Sequence, residues 1–325
     1  METRNIQKTG GSSYTITLPK SWVVANKLDQ NDSVEIYPRN HAQLLIQTQA
    51  SGHPYAVGLP INYLNDAQTV RELIGIYISG ADEIRITANS ITYEQRSLIR
   101  SLSNKLIGFE LFEESSKMMT LKNVASPLIS SPEYIKKMLT IIRSMYDDII
   151  LTLLSSDRKL ARDIIERDVE VDRIHLAIQR QFNKFLSSLV PEKVNDFPAN
   201  ELYFYALAAL RLERIADHIV RIAYMISVLD PKQSVSLNKF EMADVKKITA
   251  FLEVLTKILI NLDKSAAHKT LEAYDEVVKN KFINRTINDK PSINILIQDS
   301  IERIRSYVSN IAEETINFTN IKPLP

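Results

Sequence analysis

The sequence predicts a multi-domain chain with three parts in order. A strand-rich N-terminal segment leads into a small α/β middle domain, and two three-helix bundles in tandem form the all-α remainder. Three observations carry that prediction. "YTITL", 14–18, alternates apolar and polar residues strictly, as a half-buried strand does. From about residue 53 the pattern switches between helical and strand periods. Beyond "SPLISSPEY", 126–134, apolar residues recur at helical spacing to the end of the chain.

The first segment, 1–50, holds four short strands and one short helix. Gly10-Gly11 marks a turn before "YTITL", and Pro19 suits the first position of the helix "PKSWVVANK". "NDSVEIYPRNHAQLLIQ" reads as two strands around Arg39-Asn40. About fifty residues with strands this short make a poor core alone, so a homodimer that shares strands is expected.

In the middle domain, 53–123, "AQTVRELIGIYISG" and "TYEQRSLIRSLSNKLIG" read as helices, with Gly80 and Gly108 at their C-terminal ends. "EIRIT", "FELFE" and "MMTLKN" read as strands. The last part divides into bundle 1, 131–230, and bundle 2, 234–322, with breaks at 155–157, 190–200, 230–237, 263–265 and 284–291. A shared frame supports a repeat: "LERIADHIVRIA", 212–223, and "IERIRSYVSNIA", 301–312.

Composition narrows the function. The 325 residues include no cysteine, which excludes disulfides, zinc ribbons and thiol catalysis. A formal net charge of +1 gives no bulk attraction to nucleic acid or to anionic membranes. The longest apolar run, "LYFYALAAL", is far too short to span a bilayer, and "METRNIQKTGG" has no signal-like apolar core. A cytoplasmic protein without membrane insertion is expected. Seven glycines form neither a GxGxxG nor a Walker-type loop, and no nucleophile motif stands out, so an enzyme is not expected.

The candidate site is a set of acids. Asp168 and Asp172 fall within the apolar stripe of Leu160, Ile164, Val171 and Ile178, with His175 and Gln179 beside them. Glu213 and Asp217 lie just beyond the edge of the stripe formed by Leu212, Ile215 and Ile219. Like charges one turn apart cost about 0.2–0.5 kcal/mol on an isolated helix. Antiparallel packing of the two helices would gather four carboxylates, which a polyvalent cation would neutralise. Asp168, Asp172, Glu213 and Asp217 are therefore candidate metal ligands, and His175 joins them through its acid-x-x-His spacing. In the second repeat Glu302 stands where Glu213 does, but Ser306 replaces Asp217. One helix earlier, Asp275 and Lys279 stand where Asp168 and Asp172 do. Bundle 2 is expected to hold no metal, with the lysine supplying its positive charge.

"LERIADHIVRIA" resembles the L-E-R-I-G-D-H-x-x-N-I-A helix of the PhoU family, with Ala216 for the glycine and Arg221 for the asparagine. "DVEVD" resembles its partner helix, and "IERIRSYVSNIAEE" its second-repeat counterpart. The resemblance implies tandem three-helix bundles that bind iron, zinc, nickel or magnesium. It also implies regulation of phosphate uptake through a transporter subunit or a sensor kinase. The N-terminal "RNIQKTGGSSYTITLPKSWVVANKLDQNDSVEIYPRNHAQLLIQ" resembles the AbrB/SpoVT domain, which implies a swapped-hairpin β-barrel dimer that commonly binds DNA. Arg4, Lys8, Lys20 and Arg39 are the candidate DNA contacts. The fusion resembles archaeal PhoU-like phosphate uptake regulators. The expected function is metal-dependent transcriptional regulation of phosphate uptake, or adaptor contacts with a transporter in which 1–50 only dimerises.

Overall fold

The computed structural model describes residues 3–40, 43–48, 55–124, 129–187, 199–230, 235, 237–284 and 293–321. Side chains 39, 40, 43, 187, 240 and 278–284 lie outside the description, and with them the roles expected of Arg39 and Lys279. The chain separates into two units, Met1–His53 and Pro54–Pro323.

The N-terminal unit contains two separate antiparallel hairpins. Strands β1 (Gln7–Thr9) and β2 (Ser13–Thr15) pair around Gly10, whose φ of 68° suits glycine. Helix α1 (Lys20–Ala25) follows, with Pro19 as its N-cap. Strands β3 (Val34–Asn40) and β4 (Gln43–Thr48) form the second hairpin, with Ile36 opposite Ile46. Gln47 alone is buried among the described residues here, while Ile6, Tyr14, Ile16, Val24, Ile36 and Leu44 are all exposed. Among the described residues the unit has strands and a helix but no buried apolar core.

The α/β domain runs β5 (Ala56–Pro60), α2 (Asp66–Ile78), β6 (Glu83–Thr87), α3 (Tyr93–Ser103), β7 (Phe109–Glu114), β8 (Met118–Asn123). The sheet order is β5-β6-β8-β7, with β5 and β6 parallel and the other pairs antiparallel. Asn65 and Thr92 start the two helices with capping boxes closed by Gln68 and Gln95. A compact core of Leu73, Tyr77, Ile84, Ile86, Ile99 and Leu121 fills the space between helices and sheet. Two local expectations need correction. The strand β5 carries Gly58 and Pro60 and is too short to show alternation. Helix α3 ends at Ser103, so Gly108 (φ 87°) serves the turn into β7 and not the helix end. Gly80 does follow α2, at φ 96°.

Six helices complete the fold: α4 (Ser131–Ser155), α5 (Arg158–Ser187), α6 (Ala199–Ser227), α7 (Lys239–Ile260), α8 (Lys264–Asn284) and α9 (Ile293–Asn320). A capping box, Ser130 with Glu133, and Pro132 in the first turn start α4. Ser156 at φ 54° closes it in the left-handed region. The first three helices pack together, as do the last three, and α4 and α6 meet α7 and α9 across a shared core. Among the described residues no helix is long and apolar enough to cross a membrane.

Candidate metal centre

The register of α5 on α6 decides which acids meet. Gln179 Nε2 donates to the Ala206 carbonyl at 3.2 Å, fixing one point of the antiparallel pair. Stepping back along α5 and forward along α6 by equal numbers places Asp172 opposite Glu213 and Asp168 opposite Asp217. Two stripes one helical turn apart on each helix therefore face each other at matched height.

The electrostatics place the four acids within reach of one another. Burial raises the Asp168 carboxyl to about 7, and repulsion from Asp172, Asp217 and Glu213 adds to it. Burial likewise raises Glu213 to about 7, reinforced by Asp217 and Asp172 and opposed by Arg214. Asp172 is raised by burial and by Asp217, with Lys105 of the α/β domain pulling the other way. His175 faces the same region: burial lowers it to about 4, Arg214 lowers it further, and Asp217 opposes.

The four acids are not equally enclosed, which corrects the placement of both aspartates inside the apolar stripe. Asp168 is half-buried, whereas Asp172 is exposed. The Glu213 side chain retains 15% of its surface and that of Asp217 41%. Asp168 and Glu213 are thus the more enclosed of the four, and Asp172 and Asp217 the more exposed. Although Asp172 touches solvent, enough protein surrounds its carboxyl to raise its pKa.

Whether a metal suits these residues turns on their oxygens. Asp168 Oδ1 and Glu213 Oε2 are buried and make no hydrogen bond, a costly state for an ionised carboxylate. Arg214 is the nearby counter-charge, 2.9 Å from Asp217 and 3.4 Å from Glu213 Oε2, on a half-exposed side chain. Among the described residues no three ligand-type side chains converge closely enough to hold a metal as they stand. The donor set, hard carboxylate oxygens with one neutral imidazole, nonetheless suits a polyvalent cation that would draw the acids inward. In the second repeat Asp275 is exposed, so it does not take the half-buried place of Asp168.

The raised carboxyls make a pH prediction with a definite sign. Folded Asp168 and Glu213 hold their protons up to about pH 7, while unfolded carboxyls release them near pH 4. Folding therefore binds protons between those values, and stability contributed by these groups falls as pH rises through that window. His175 acts in the opposite sense between about pH 4 and 6.5. The comparison is thus with the Asp168→Asn variant in chelator. Urea unfolding should show the variant gaining about 1–3 kcal/mol on the parent from pH 4.5 to 8, after discounting for partial exposure. Parallel profiles would contradict the grouping.

A protein with two packed three-helix bundles and paired acids on facing helices is defined as a class by these features. Residues 135–226 match the PhoU domain, and residues 7–52 match antidote-toxin recognition MazE, bacterial antitoxin. The chain thus carries a PhoU-like region in its first three-helix bundle and an AbrB-like region at its N-terminus. Among solved structures it is similar to PhoU from Pseudomonas aeruginosa, at 16% identity and a TM-score of 0.50. That likeness covers 58% of this chain and 95% of the other. The phosphate transport system regulatory protein PhoU from Streptococcus pneumoniae gives 18% and 0.49, over 58% and 93% of the two chains. At these identities the likeness concerns the fold alone. No curated protein sequence matches the chain.

Proposed function

We propose that the protein is a metal-binding regulator of phosphate uptake, cytoplasmic and dimeric, which couples phosphate status to transcription. The observation that carries the metal half is the matched register of Asp168 and Asp172 against Asp217 and Glu213, with two buried oxygens lacking hydrogen bonds. Asp168, Asp172, Glu213 and Asp217 would hold the ion, His175 standing by as a fifth donor. Iron, zinc, nickel and magnesium all accept part of such a set. The bound ion would supply the charge that lets four carboxylates stay close. The phosphate connection rests on the PhoU match over 135–226.

The N-terminal unit supports a dimer. Six large apolar side chains exposed around a unit without a core are what one half of an interlaced barrel looks like before its partner is added. Lys8 on β1 and Lys20 on α1 are exposed, and so is Arg4. In a dimer these three positions double. The full-length chain should bind DNA upstream of phosphate-transport genes with an affinity that falls steeply with salt. Neutralising Arg4, Lys8 and Lys20 should flatten that dependence, and titration across a salt series by fluorescence anisotropy measures it. Absence of binding at low salt would remove the transcriptional half.

One observation favours a second reading. Residues 1–50 carry five basic and four acidic groups, a thin excess for a phosphate-contacting surface. In that reading the N-terminal unit only dimerises, and the bundles regulate a phosphate transporter or its sensor by direct contact. A neutralised variant that still regulates uptake like its parent would select it.

A further inference from the structure

The repeat frame that pairs Leu212–Ala223 with Ile301–Ala312 places Arg305 where bundle 1 has Ala216. Arg305 is completely buried, 0% exposed, among the equally buried Ile301, Ile304 and Val308. Its guanidinium donates to Glu302 Oε1 at 2.7 Å and to Asp244 Oδ1 of α7 at 2.8 Å. Glu302 is the acid that occupies the place of Glu213 in the frame. Beside this cluster Tyr146 of α4, also fully buried, donates its hydroxyl to the Val245 carbonyl at 2.8 Å.

A guanidinium in an apolar core is costly unless charge and hydrogen bonds compensate it, and here the Asp244 and Glu302 side chains, 16% and 27% exposed at the margin of the core, supply both. Surrounding isoleucines and valine would pack as well around an apolar residue. The charge must therefore serve the acids. We propose that Arg305 is the resident cation of bundle 2: carried on the chain, it neutralises Glu302 and Asp244 permanently. Bundle 2 is then fixed in the charge-compensated state and needs no added ion. Where the metal reading of bundle 1 holds, the two repeats divide the work. One responds to an ion, and the other is a constant reference against which that response is transmitted. The lock itself does not depend on that reading.

Two substitutions separate charge from volume. Arg305→Lys keeps a cation, whereas Arg305→Met keeps the stem and loses it. Full-length Arg305→Met should melt about 10 °C below the parent, and Arg305→Lys should recover a substantial part of that loss. Arg305→Ala, if it folds, should gain melting temperature in tens of millimolar guanidinium chloride, compared with equal sodium chloride, while the parent should not. A methionine variant as stable as the lysine variant would overturn the proposal, and so would an alanine variant that guanidinium leaves unmoved. The comparison repeated in an Asp168→Asn background should give the same order, so loss of the metal site and loss of the lock are told apart.

Discussion

Arg180→Ala is expected to loosen the α/β domain from α5 and to lower the stability of that docking by about 2–4 kcal/mol. The Arg180 side chain is 7% exposed and lies under the end of α2. Its Nη1 donates to the Tyr77 carbonyl at 2.8 Å, and Nη2 stands 3.5 Å from Asp82. The guanidinium lies 5.1 Å from the Tyr77 ring centre and 4.9 Å from that of Phe109. A cation placed against the last carbonyls of a helix offsets the negative end of the helix dipole. Asn183 extends the same contact to the Ile78 carbonyl at 3.1 Å, and Lys184 reaches Asp82. Three positions within about one turn of α5 thus receive one helix end. Gly80 lets the backbones approach, since a Cβ there would meet Lys184 Cα at 3.2 Å. Hydrogen exchange should show the amides of α2 losing protection in the variant while those of α4 and α6 keep theirs. Unchanged protection in α2 would mean that the docking does not rest on this arginine.

This contact has a functional side. The helix that carries Asp168 and Asp172 also carries Arg180, Asn183 and Lys184, about two to four turns further on. Leu176 of α5 packs into the α/β core, and Ile107 of the α/β domain packs into the bundle core. If an ion binds as proposed, any displacement of α5 that follows would reach the α/β domain directly.

Periodicity alone exposed much of this fold. "EIRIT" became β6 without adjustment, and the helical breaks near 156 and 263 fall where Ser156 and Leu262 take positive φ. The strand β5 escaped because parallel pairing with β6 supplies what its Gly58 and Pro60 withhold from any local pattern. Periodicity put the four acids on facing helices, but it did not give their depths. A helical wheel gives the direction of Asp172 without saying whether that direction ends in core or at the rim of a groove. Gln179 was visible on the stripe, yet only a partner carbonyl on α6 turned it into the pin of the register. Arg305 was the clearest miss. It sits on the apolar stripe between Ile301, Ile304 and Val308, the spacing that flags a buried charge. The substituting cation was sought on the neighbouring helix instead.

The second large effect concerns the acids themselves. Asp168→Asn with Asp172→Asn removes two of the four candidate carboxylates, the pair that α5 contributes. Both replacements keep shape and hydrogen-bonding capacity, so the bundle should fold, and relief of repulsion should make the metal-free variant no less stable than the parent. Affinity for the ion, in contrast, should fall about 100-fold or more, since loss of even a supporting group around a metal costs 10–100-fold. The decisive measurement is elemental analysis of full-length parent and double variant, each exposed to iron, zinc, nickel and magnesium and then freed of excess. The parent should retain at least one of these metals near a whole-number ratio per chain, and the variant should retain little. Equal metal in both, or none in either, would contradict the assignment of Asp168, Asp172, Glu213 and Asp217 as a metal centre.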